Sequence, residues 1–526
     1  MDAAAFLKDW SNQDWPSMQK LAQAPPANFQ TVNQDAFTAL GVKQATFAPG
    51  FLDQTSDTAS ELVTERLSLN GLGQLTVDTS LHLTQQQDGK WLVNWTPSTI
   101  LPQLKPGDHL AVRTFWPHRG LILAADGTPL AAKEQVVTTG AHDRRTTHNV
   151  WQAINPDLAE GLVGYTGPIT KAELKQLGEP YQSQNYIGQS GIEWGEERKL
   201  AGSPGAALEV VNSAGATVST IRTYPDQPGR NVRTTIDMQA QEAAEAALAG
   251  EKQTAALVAV DARTGDVLAA SSVNAGYDLA MDGGFPPGST FKIFDSTALL
   301  EHGLTPESAA SCPKTITEDG EVFHNAEGDG PVSTMLEAFT ESCNTAFIGL
   351  VSNDLNDSDI LTATSQYRIG KALHIGVDAY PGSVPKPLDV ADLAATSIGQ
   401  GRVLMSPLAM AMVAAAVDTG TVHPARLVEG ASTAAAKTLP AAVVASLHTM
   451  MASVVSSGTA AGTGLPAGTY AKTGTAEYGT TNPLKLDAWL VGFNGNIAFA
   501  ALVVDSPGDG GPTCGPIVAK FLDAFG

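Results

Sequence analysis

The sequence predicts a multidomain α+β protein, and three observations lead to that prediction. The chain has 526 residues, which is too long for one ordinary domain. Near the N-terminus, Gln74 to Leu83 and Lys90 to Trp95 alternate apolar and polar residues, as strands of a half-buried antiparallel sheet do. After Ser289, by contrast, a largely apolar stretch runs to Gly303 and predicts a buried helix.

The first domain is predicted over residues 1–104 as a small α+β module. It begins with two helical segments, Ala3 to Trp10 and Ser17 to Ala24, which precede the alternating strands. The pair Asp88-Gly89 is typical of a hairpin turn and separates the last two strands. The segment contains no chemical motif, so we expect a spacer or a partner-binding module.

Two further domains follow. Residues 105–235 are rich in turns and predict an irregular β-rich domain with one helical segment, Lys171 to Leu177. The turn-forming cluster from Tyr224 to Arg230 marks its end. Residues 236–526 predict a mixed α/β domain. Its first and last elements are a helix from Met238 to Gly250, strands from Ala255 to Val260 and from Val267 to Ser271, and a helix from Pro516 to Phe525.

Composition and charge exclude several classes of function. Hydrophobic residues make up 43% and charged residues 16% of the chain, as in a soluble globular protein. The net charge of −23 argues against nucleic acid or an anionic membrane surface as the main partner. The longest apolar run, Leu408 to Val417, is shorter than a membrane span, and no signal peptide is visible at Met1.

The three cysteines, Cys312, Cys343 and Cys514, have neither a metal-binding spacing nor the pattern of a disulfide framework. One bridge is possible, for example between Cys312 and Cys514 with Cys343 free. Sequence alone does not decide between the pairings.

The motif that organises the third domain is Ser289-Thr290-Phe291-Lys292. Positions i and i+3 share one face of a helix, so the hydroxyl of Ser289 and the amine of Lys292 are expected within hydrogen-bonding distance. An isolated Ser-x-x-Lys is more often a capping serine with a surface lysine. Three other copies start at Ser17, Ser311 and Ser383, but only Ser289 opens a long apolar helix.

Two more short motifs follow in order. Ser342-Cys343-Asn344 begins 53 residues after Ser289, and Lys472-Thr473-Gly474 begins 130 residues after Ser342. Alone, the first is typical of a turn or cap and the second of an edge strand with a glycine bulge. The ordered set of three is much more specific than any one member.

Together these residues suit acyl transfer through a serine ester. Ser289 is the predicted nucleophile and Lys292 the base that takes its proton. A lysine accepts a proton only when neutral, so burial and a neighbouring cation, Lys472, must lower its ordinary pKa of about 10.4. Ser342 is expected to relay a proton to the leaving nitrogen, and Asn344 to hold the substrate amide or the lysine. No histidine, metal or cofactor is required.

The strand that carries Lys472 is expected to bind the substrate. Gly474 has no side chain, so an extended substrate can pair with the strand edge. Lys472, Thr473 and Thr475 are expected to contact the substrate carboxylate. The backbone N–H groups of Ser289 and Thr475 are the expected oxyanion donors, and losing one such donor typically costs about 3 to 4 kcal/mol.

Pro-Pro-Gly-Ser-Thr-Phe-Lys at 286–292, Ser-Cys-Asn at 342–344 and Lys-Thr-Gly-Thr-Ala at 472–476 together resemble the penicillin-binding proteins. The segment from Arg119 to Ala131 and that from Gly191 to Gly202 are similar to the start and end of that family's pedestal, or dimerisation, domain. The first hundred residues resemble the NTF2-like domain of resistance-type class B members from Gram-positive bacteria, including actinobacteria. No segment before residue 235 resembles the glycosyltransferase of class A.

The resemblance implies a class B D,D-transpeptidase that acts in cell division or cell shape. Its substrate would be a peptidoglycan stem peptide ending in D-Ala-D-Ala, and β-lactams would acylate Ser289. Members of this class are membrane-anchored by one N-terminal helix, work outside the cell and often act with a SEDS-type glycosyltransferase. Such a helix is expected before Met1. Asp487-Ala488-Trp489 stands where the family leads us to expect His-Ala-Trp, which affects the outer edge of the acceptor site.

Three alternatives share these motifs. A D,D-carboxypeptidase differs only in using water as acceptor, and a sensor or scaffold would bind β-lactams without turnover. A serine β-lactamase needs fast hydrolysis of its acyl-enzyme, which one class achieves with a glutamate downstream of Ser-x-Asn. Here Glu429 is the single glutamate between Thr345 and Ala471, without the expected Glu-x-x-x-Asn context.

Overall fold

The computed structural model describes residues 3–139, 145–153, 161–325, 332–430, 434–479 and 484–525. The chain forms two compact units. The first comprises Met1–Arg119 with Ala201–Gly229, and the second Gly120–Leu200 with Arg230–Gly526. Each unit has its own hydrophobic core.

The first unit contains a four-stranded antiparallel sheet in the order β1-β2-β3-β4. Its elements up to Phe115 are α1 (Ala3–Ser11), α2 (Trp15–Lys20), α3 (Phe29–Leu40), β1 (Val42–Gln54), β2 (Thr58–Leu69), β3 (Gly73–Gln85), β4 (Trp91–Val93), α4 (Pro97–Ile100) and β5 (His109–Phe115).

The predicted α1, β3 and β4 are present, with Asp88-Gly89 at the turn between the two strands. Helix α2 differs from the prediction: it begins at Trp15, where Asp14 accepts a backbone hydrogen bond from Ser17, and it ends at Lys20. Helix α3 and strand β1 have no counterpart in the prediction. Only Ala45 of β1 is buried, so that strand lacks an alternating pattern.

The core of the first unit contains several polar groups among its aromatic rings. Trp91 and Trp95 are buried there, and the Trp95 ring lies 4.8 Å from that of Phe29. Glu65 of β2 is also buried, and neither of its carboxyl oxygens has a hydrogen-bond partner in the structure. Burial raises the pKa of Glu65 to about 8.

The middle of the chain is β-rich, as predicted, and its helix spans Lys171–Leu177. Thr170 and Glu173 form a capping box at the start of that helix. The elements are β6 (Ile122–Leu123), β7 (Ala131–Thr139), β8 (Arg145–Ala153), β9 (Thr166–Pro168), α5 (Lys171–Leu177), β10 (Tyr186–Gly188), α6 (Gly191–Gly195), α7 (Glu197–Ala201), β11 (Gly205–Val211), β12 (Thr217–Tyr224) and β13 (Val232–Arg233).

Strands β5, β11 and β12 form a three-stranded sheet of the first unit in the order β12-β11-β5. Leu110, Leu208 and Val210 of this sheet belong to the same core as the N-terminal helices. The compact units therefore divide the chain differently from the three domains proposed from the sequence. Those domain boundaries stay predictions.

The second unit is organised around a five-stranded antiparallel sheet in the order β15-β14-β22-β21-β20. Its elements after Arg233 are α8 (Met238–Leu248), β14 (Ala255–Asp261), β15 (Asp266–Val273), α9 (Leu279–Asp282), a 3-10 turn (Gly288–Phe291), α10 (Lys292–Glu301), β16 (Thr315–Glu318), β17 (Glu321–His324), α11 (Met335–Thr340), α12 (Asn344–Asp354), α13 (Asp357–Gln366), α14 (Val390–Ser397), α15 (Pro407–Thr419), β18 (Thr421–Val422), β19 (Lys437–Thr438), α16 (Ala441–Ser456), β20 (Thr469–Tyr478), β21 (Lys485–Asn494), β22 (Ile497–Val503) and α17 (Gly510–Phe525).

Helices α8, α15 and α17 pack against this sheet, and β14 and β22 are buried along nearly their whole length. The predicted buried helix is present as α10, in which every residue from Lys292 to Leu299 is buried. Helix α17 begins at Gly510, earlier than predicted, with Pro516 inside it. No helix within the described residues is long and apolar enough to cross a membrane.

Candidate active site

Ser289 lies in the 3-10 turn that leads directly into α10, not at the cap of an α-helix. The turn is pressed against β20: a Cβ atom on Gly288 would lie 2.7 Å from the Thr475 carbonyl carbon. Gly288 also has a φ of +53°, which favours glycine. Close packing thus fixes the backbone of Ser289 beside the edge strand, and Ser289 is only 8% exposed.

Lys292 is the first residue of α10 and is fully buried. Its Nζ lies 2.7 Å from Ser289 Oγ, 2.7 Å from the Ser342 carbonyl oxygen and 2.7 Å from Asn344 Oδ1. Two of these three neighbours can only accept a hydrogen bond. A neutral amine can donate its two protons to them and keep its lone pair directed at the hydroxyl of Ser289.

Ser342 and Asn344 flank the start of α12. Ser342 has a φ of +61°, which is strained for a residue with a side chain and is typical of functional sites. Its carbonyl meets Lys292, while its hydroxyl accepts a 2.8 Å hydrogen bond from Lys472 Nζ. Ser342 therefore bridges the two lysines.

The middle residue of this motif, Cys343, is joined to Cys312 by a disulfide bond, and Cys514 is free and buried. The pairing of Cys312 with Cys514 that the sequence allows is therefore wrong. Cys514 lies in α17, where its thiol donates to the Ala488 carbonyl of β21 at 3.3 Å. Folding brings Cys343 to Cys312 because the segment from 312 to 325 packs beside the start of α12, where Asn325 accepts from the Thr345 backbone at 2.9 Å.

Lys472 is buried on β20, the edge strand of the five-stranded sheet. Its ammonium lies over the ring of Phe339, 5.4 Å from the ring centre, and also donates to the Thr473 carbonyl at 3.0 Å. An aromatic face favours the charged form of a lysine. The predicted strand position of Lys472 is confirmed.

Gly474 serves a purpose that the sequence reasoning missed. A Cβ atom at this position would lie 2.5 Å from the Pro287 carbonyl oxygen and 2.9 Å from Thr290 Cγ2. Glycine is therefore needed for β20 to approach the turn that carries Ser289. This contact is separate from the predicted pairing of a substrate with the strand edge.

The hydroxyls of Thr473 and Thr475 already have protein partners. Thr473 Oγ1 lies 2.5 Å from Thr459 Oγ1, and Thr475 Oγ1 accepts a 3.1 Å hydrogen bond from the backbone of Gly510. Because Thr475 accepts this bond, it can still donate its own proton to a ligand. Thr459 follows α16 in a Ser-Gly-Thr turn, a pattern too common to single it out from sequence.

Asp295 is a second residue that the sequence reasoning passed over. It lies one helical turn after Lys292, is fully buried, and neither of its carboxyl oxygens has a hydrogen-bond partner in the structure. Burial raises the pKa of Asp295 well above its ordinary range, and the positive charge of Lys292 partly opposes that rise. A charged residue inside an apolar helix was the available signal.

Asp487, the departure from the family pattern, is a buried residue of β21 paired with Ala476 of β20. Its carboxylate accepts from the Asp505 backbone at 3.3 Å. Burial raises the pKa of Asp487 to about 6, and the nearby charge of Asp505 adds to the rise. Lys485, at the start of β21, pairs with Asp505 at 2.8 Å.

The five residues predicted for catalysis thus form one connected hydrogen-bond network. They are Ser289, Lys292, Ser342, Asn344 and Lys472. The network contains a serine hydroxyl, a buried amine within hydrogen-bonding distance of it, a second hydroxyl between two lysines and an amide that contacts one of them. Such a set is suited to nucleophilic acyl transfer.

Comparison with known families agrees with this geometry. Residues 255–523 match the penicillin binding protein transpeptidase domain. Residues 146–234 match the penicillin-binding protein dimerisation domain, and residues 1–108 match the NTF2-like N-terminal transpeptidase domain.

Curated relatives include two named peptidoglycan D,D-transpeptidases. PbpA of Mycolicibacterium smegmatis is 30% identical over 402 residues, which cover 62% of this chain and 78% of the relative. MrdA of Acinetobacter baumannii is 26% identical over 300 residues, which cover 49% of this chain and 44% of the relative.

Solved structures share the fold over most of the chain. A complex between PBP2 and MreC from Helicobacter pylori matches with a TM-score of 0.68 and 18% identity, covering 79% of this chain and 98% of that one. A peptidoglycan synthase complex that coordinates polymerization and crosslinking matches with a TM-score of 0.67 and 25% identity, covering 80% and 92%.

Proposed function

The chain belongs to the penicillin-binding protein transpeptidase family, and we propose that it cross-links peptidoglycan stem peptides through an acyl-enzyme on Ser289. The three matched domains and the PBP2-like fold make it a class B member with an NTF2-like N-terminal domain, so the predicted family and fold class are confirmed. It is a serine-type D,D-transpeptidase, an acyltransferase. The residue roles below are part of the proposal.

Acylation begins at Ser289. Lys292 takes the hydroxyl proton as Ser289 Oγ attacks the carbonyl carbon of the penultimate D-Ala. The observation that carries this step is the environment of Lys292 Nζ, where two carbonyl oxygens at 2.7 Å take both protons of a neutral amine. The lone pair is then directed at Ser289 Oγ, also 2.7 Å away.

Collapse of the tetrahedral intermediate breaks the peptide bond and releases the terminal D-Ala. Its nitrogen needs a proton, which Ser342 delivers and then recovers from Lys292 or Lys472. The position of Ser342 Oγ, 2.8 Å from Lys472 Nζ, supports this relay. In the second half-reaction, an amine of a neighbouring stem attacks the ester and its proton leaves along the same route.

The substrate lies along the free edge of β20 and adds itself as a further strand. Lys472, Thr473 and Thr475 bind the terminal carboxylate, and the backbone of Gly474 belongs to the strand edge with which the substrate pairs. The N–H groups of Ser289 and Thr475 stabilise the oxyanion. Contact between Gly288 and Thr475 supports this pairing, because it holds the two backbone segments together. A β-lactam enters the same site and leaves a stable ester on Ser289.

Peptidoglycan is built in the cell envelope, so the enzyme acts there. As part of the proposal, it works at the extracytoplasmic face of the plasma membrane, held by an N-terminal anchor and partnered by a SEDS-type glycosyltransferase. Similar proteins have been solved as a complex with MreC and as a peptidoglycan synthase complex, which supports a protein partner for this chain.

The test is intact-mass spectrometry after the chain is mixed with benzylpenicillin and followed for hours. We expect a long-lived adduct of one drug molecule on the wild type and none on Ser289→Ala. Ser311→Ala, which changes another Ser-x-x-Lys motif, is the matched control and should label normally. An adduct on Ser289→Ala would contradict the assignment of the nucleophile.

The acceptor is tested next with a D-Ala-D-Ala stem peptide and an amine acceptor. A cross-linked product supports transpeptidation, whereas release of D-Ala with water as the only acceptor indicates a carboxypeptidase. Rapid turnover of benzylpenicillin without a lasting adduct would indicate a β-lactamase. Glu429 gives no support to a β-lactamase. Its side chain is exposed, and its backbone N–H donates to the Arg233 carbonyl oxygen at 3.0 Å.

A further inference from the structure

A groove of about 860 Å³ lies in the second unit, apart from the catalytic network. It is bounded by three stretches of chain, 189–196, 276–282 and 373–378, together with Gly161 and Tyr165. A volume of this size is typical of sites for organic ligands. None of the catalytic residues lines it.

The groove is strongly acidic. Four carboxylates line it, from Glu196, Asp278, Asp282 and Asp378. In the part of the chain that the structure describes, the lining also includes His374 but no lysine or arginine. Among the described residues, Lys199 pairs with Glu196 at 3.7 Å, whereas the three aspartates take part in no ion pair. Burial and the charge of Asp378 both raise the pKa of Asp282, as expected for acids that face each other without a cation.

Asp278 adds a buried negative charge beside the groove. Its Oδ1 accepts from the Met281 backbone at 3.1 Å, and its buried Oδ2 has no hydrogen-bond partner among the described residues. A buried carboxylate oxygen without a donor is costly. Burial raises the pKa of Asp278 to about 6, which agrees with that cost. A cation bound in the groove would offset this buried charge by Coulomb attraction, without contact to Oδ2.

The lining also defines the kind of cation. No group of acidic, histidine or cysteine side chains among the described residues is placed to hold a metal ion, so these carboxylates are too spread out for one ion. Three aromatic side chains, Tyr165, Trp194 and Tyr277, share the lining, and the two tyrosines are 50% and 42% exposed. Aromatic faces and carboxylates together suit an alkylammonium group.

We propose that this groove is a second binding site, for an organic cation with ammonium groups spaced along a flexible chain. A free polyamine and the amino side chain of a peptide share that chemistry. The ammonium groups contact Asp282 and Asp378, beside the buried charge of Asp278, and the methylene chain lies on the tyrosine rings. This binding is independent of acyl transfer at Ser289.

The test is calorimetric titration of the full chain with spermidine at low ionic strength, about 10 mM, where screening is weak. We expect saturable binding that the double variant Asp282→Asn, Asp378→Asn weakens by about tenfold. Both aspartates are exposed, so the variant should fold. The matched control, Asp53→Asn with Asp57→Asn, removes the same charge from exposed positions of the first unit and should bind like the wild type.

A peptide with a free lysine side chain, compared with its Nε-acetylated form, identifies the source of the amine. Tighter binding of the peptide than of spermidine indicates a peptide ligand. Tighter binding of spermidine indicates a polyamine. Absence of saturable binding of either probe, or equal weakening in the groove and control variants, would overturn the proposal. The rate of benzylpenicillin acylation, measured on each variant, should be unchanged; it reports folding and separates this proposal from the catalytic one.

Discussion

In the proposed mechanism, the reactivity of Ser289 depends most directly on Lys292. The sequence predicts their proximity because three residues on a helix return to the same face. The structure keeps this spacing although Ser289 is in a 3-10 turn and only Lys292 is in the α-helix. What the spacing does not predict is the pair of carbonyl oxygens that fixes the amine, since one comes from Ser342, 50 residues away.

We expect Lys292→Ala to slow acylation by benzylpenicillin at least about 10²-fold, because Ser289 then has no base. Stopped-flow or quenched mass measurements of the acylation rate will check this. Lys485→Ala, which removes an exposed lysine from β21, is the control and should react at the normal rate. An unchanged rate for Lys292→Ala would remove this residue from the mechanism.

Other features at the residue scale depend on tertiary packing and escape the sequence. Gly474 must be glycine because Pro287 and Thr290 occupy the place of its side chain. The strained φ of Ser342 and the contact between Thr473 and Thr459 likewise have no local sequence signal. Motif order was enough to identify candidate residues, but not to say which atoms meet.

At the scale of elements, the disulfide ties the start of α12 to the segment before β16. Cys343 stands between the two functional residues of its motif, and its Sγ accepts from the Ala346 backbone at 3.3 Å as the helix cap. Sequence could not select this pair, because three cysteines allow three pairings and the choice depends on how α12 packs.

Removing the disulfide bond with Cys312→Ala and Cys343→Ser should lower the free energy of unfolding of the second unit by about 3 to 4 kcal/mol. The estimate follows from the 31-residue separation of the two cysteines. Serine at 343 can still cap the helix, so the loss should come from the bridge. Denaturant unfolding with and without reductant is the measurement. Reductant should destabilise the wild type and leave the variant unchanged; equal effects on both would contradict the prediction.

Glu65 on β2 makes the stability of the first unit depend on pH. Its pKa is about 8 in the folded chain against an ordinary value of 4.5. Below pH 4.5 the carboxyl is neutral in both states; above it the unfolded chain ionises while the folded chain does not, so stability falls until the pH passes 8. Glu65→Gln should therefore raise the free energy of unfolding by about 3 kcal/mol at pH 7, and by almost nothing at pH 4.

Thermal unfolding of wild type and variant across this pH range will check the prediction. Glu61→Gln removes the same charge from a more exposed position on the same strand and serves as control. A Glu65→Gln effect that did not grow between pH 4 and pH 7 would show that the carboxyl is not neutral in the folded unit.

For the whole molecule, the sequence predicted the architecture wherever local pattern and tertiary burial agree. Alternating strands β3 and β4, the capped helix α5 and the buried helix α10 are of this kind. It could not predict that β11 and β12 return to the core of the N-terminal helices, because that core is completed by Leu208 and Val210, far along the chain. Packing between segments that are far apart in the chain produces no local periodicity in the sequence.

Two separate cores predict how the molecule unfolds. The first contains Trp10, Phe29 and Leu208, and the second contains the sheet and the helix that carry the catalytic residues. We therefore expect two calorimetric transitions. In the proposed mechanism, benzylpenicillin acylates Ser289, which belongs to the second unit. A covalent ligand stabilises only the folded unit that holds it.

Acylation should thus raise the unfolding midpoint of the second unit and leave that of the first unit unchanged. Glu65→Gln should shift only the midpoint of the first unit. Scanning calorimetry of both proteins, with and without the drug, measures the midpoints of both transitions in each sample. Ser289→Ala shows whether the drug acts through the ester. A single transition that moves as a whole under either change would mean that the two cores unfold together. The β-lactam would then also stabilise the first unit, which contains Glu65. The pH dependence that Glu65 causes would likewise affect the stability of the second unit.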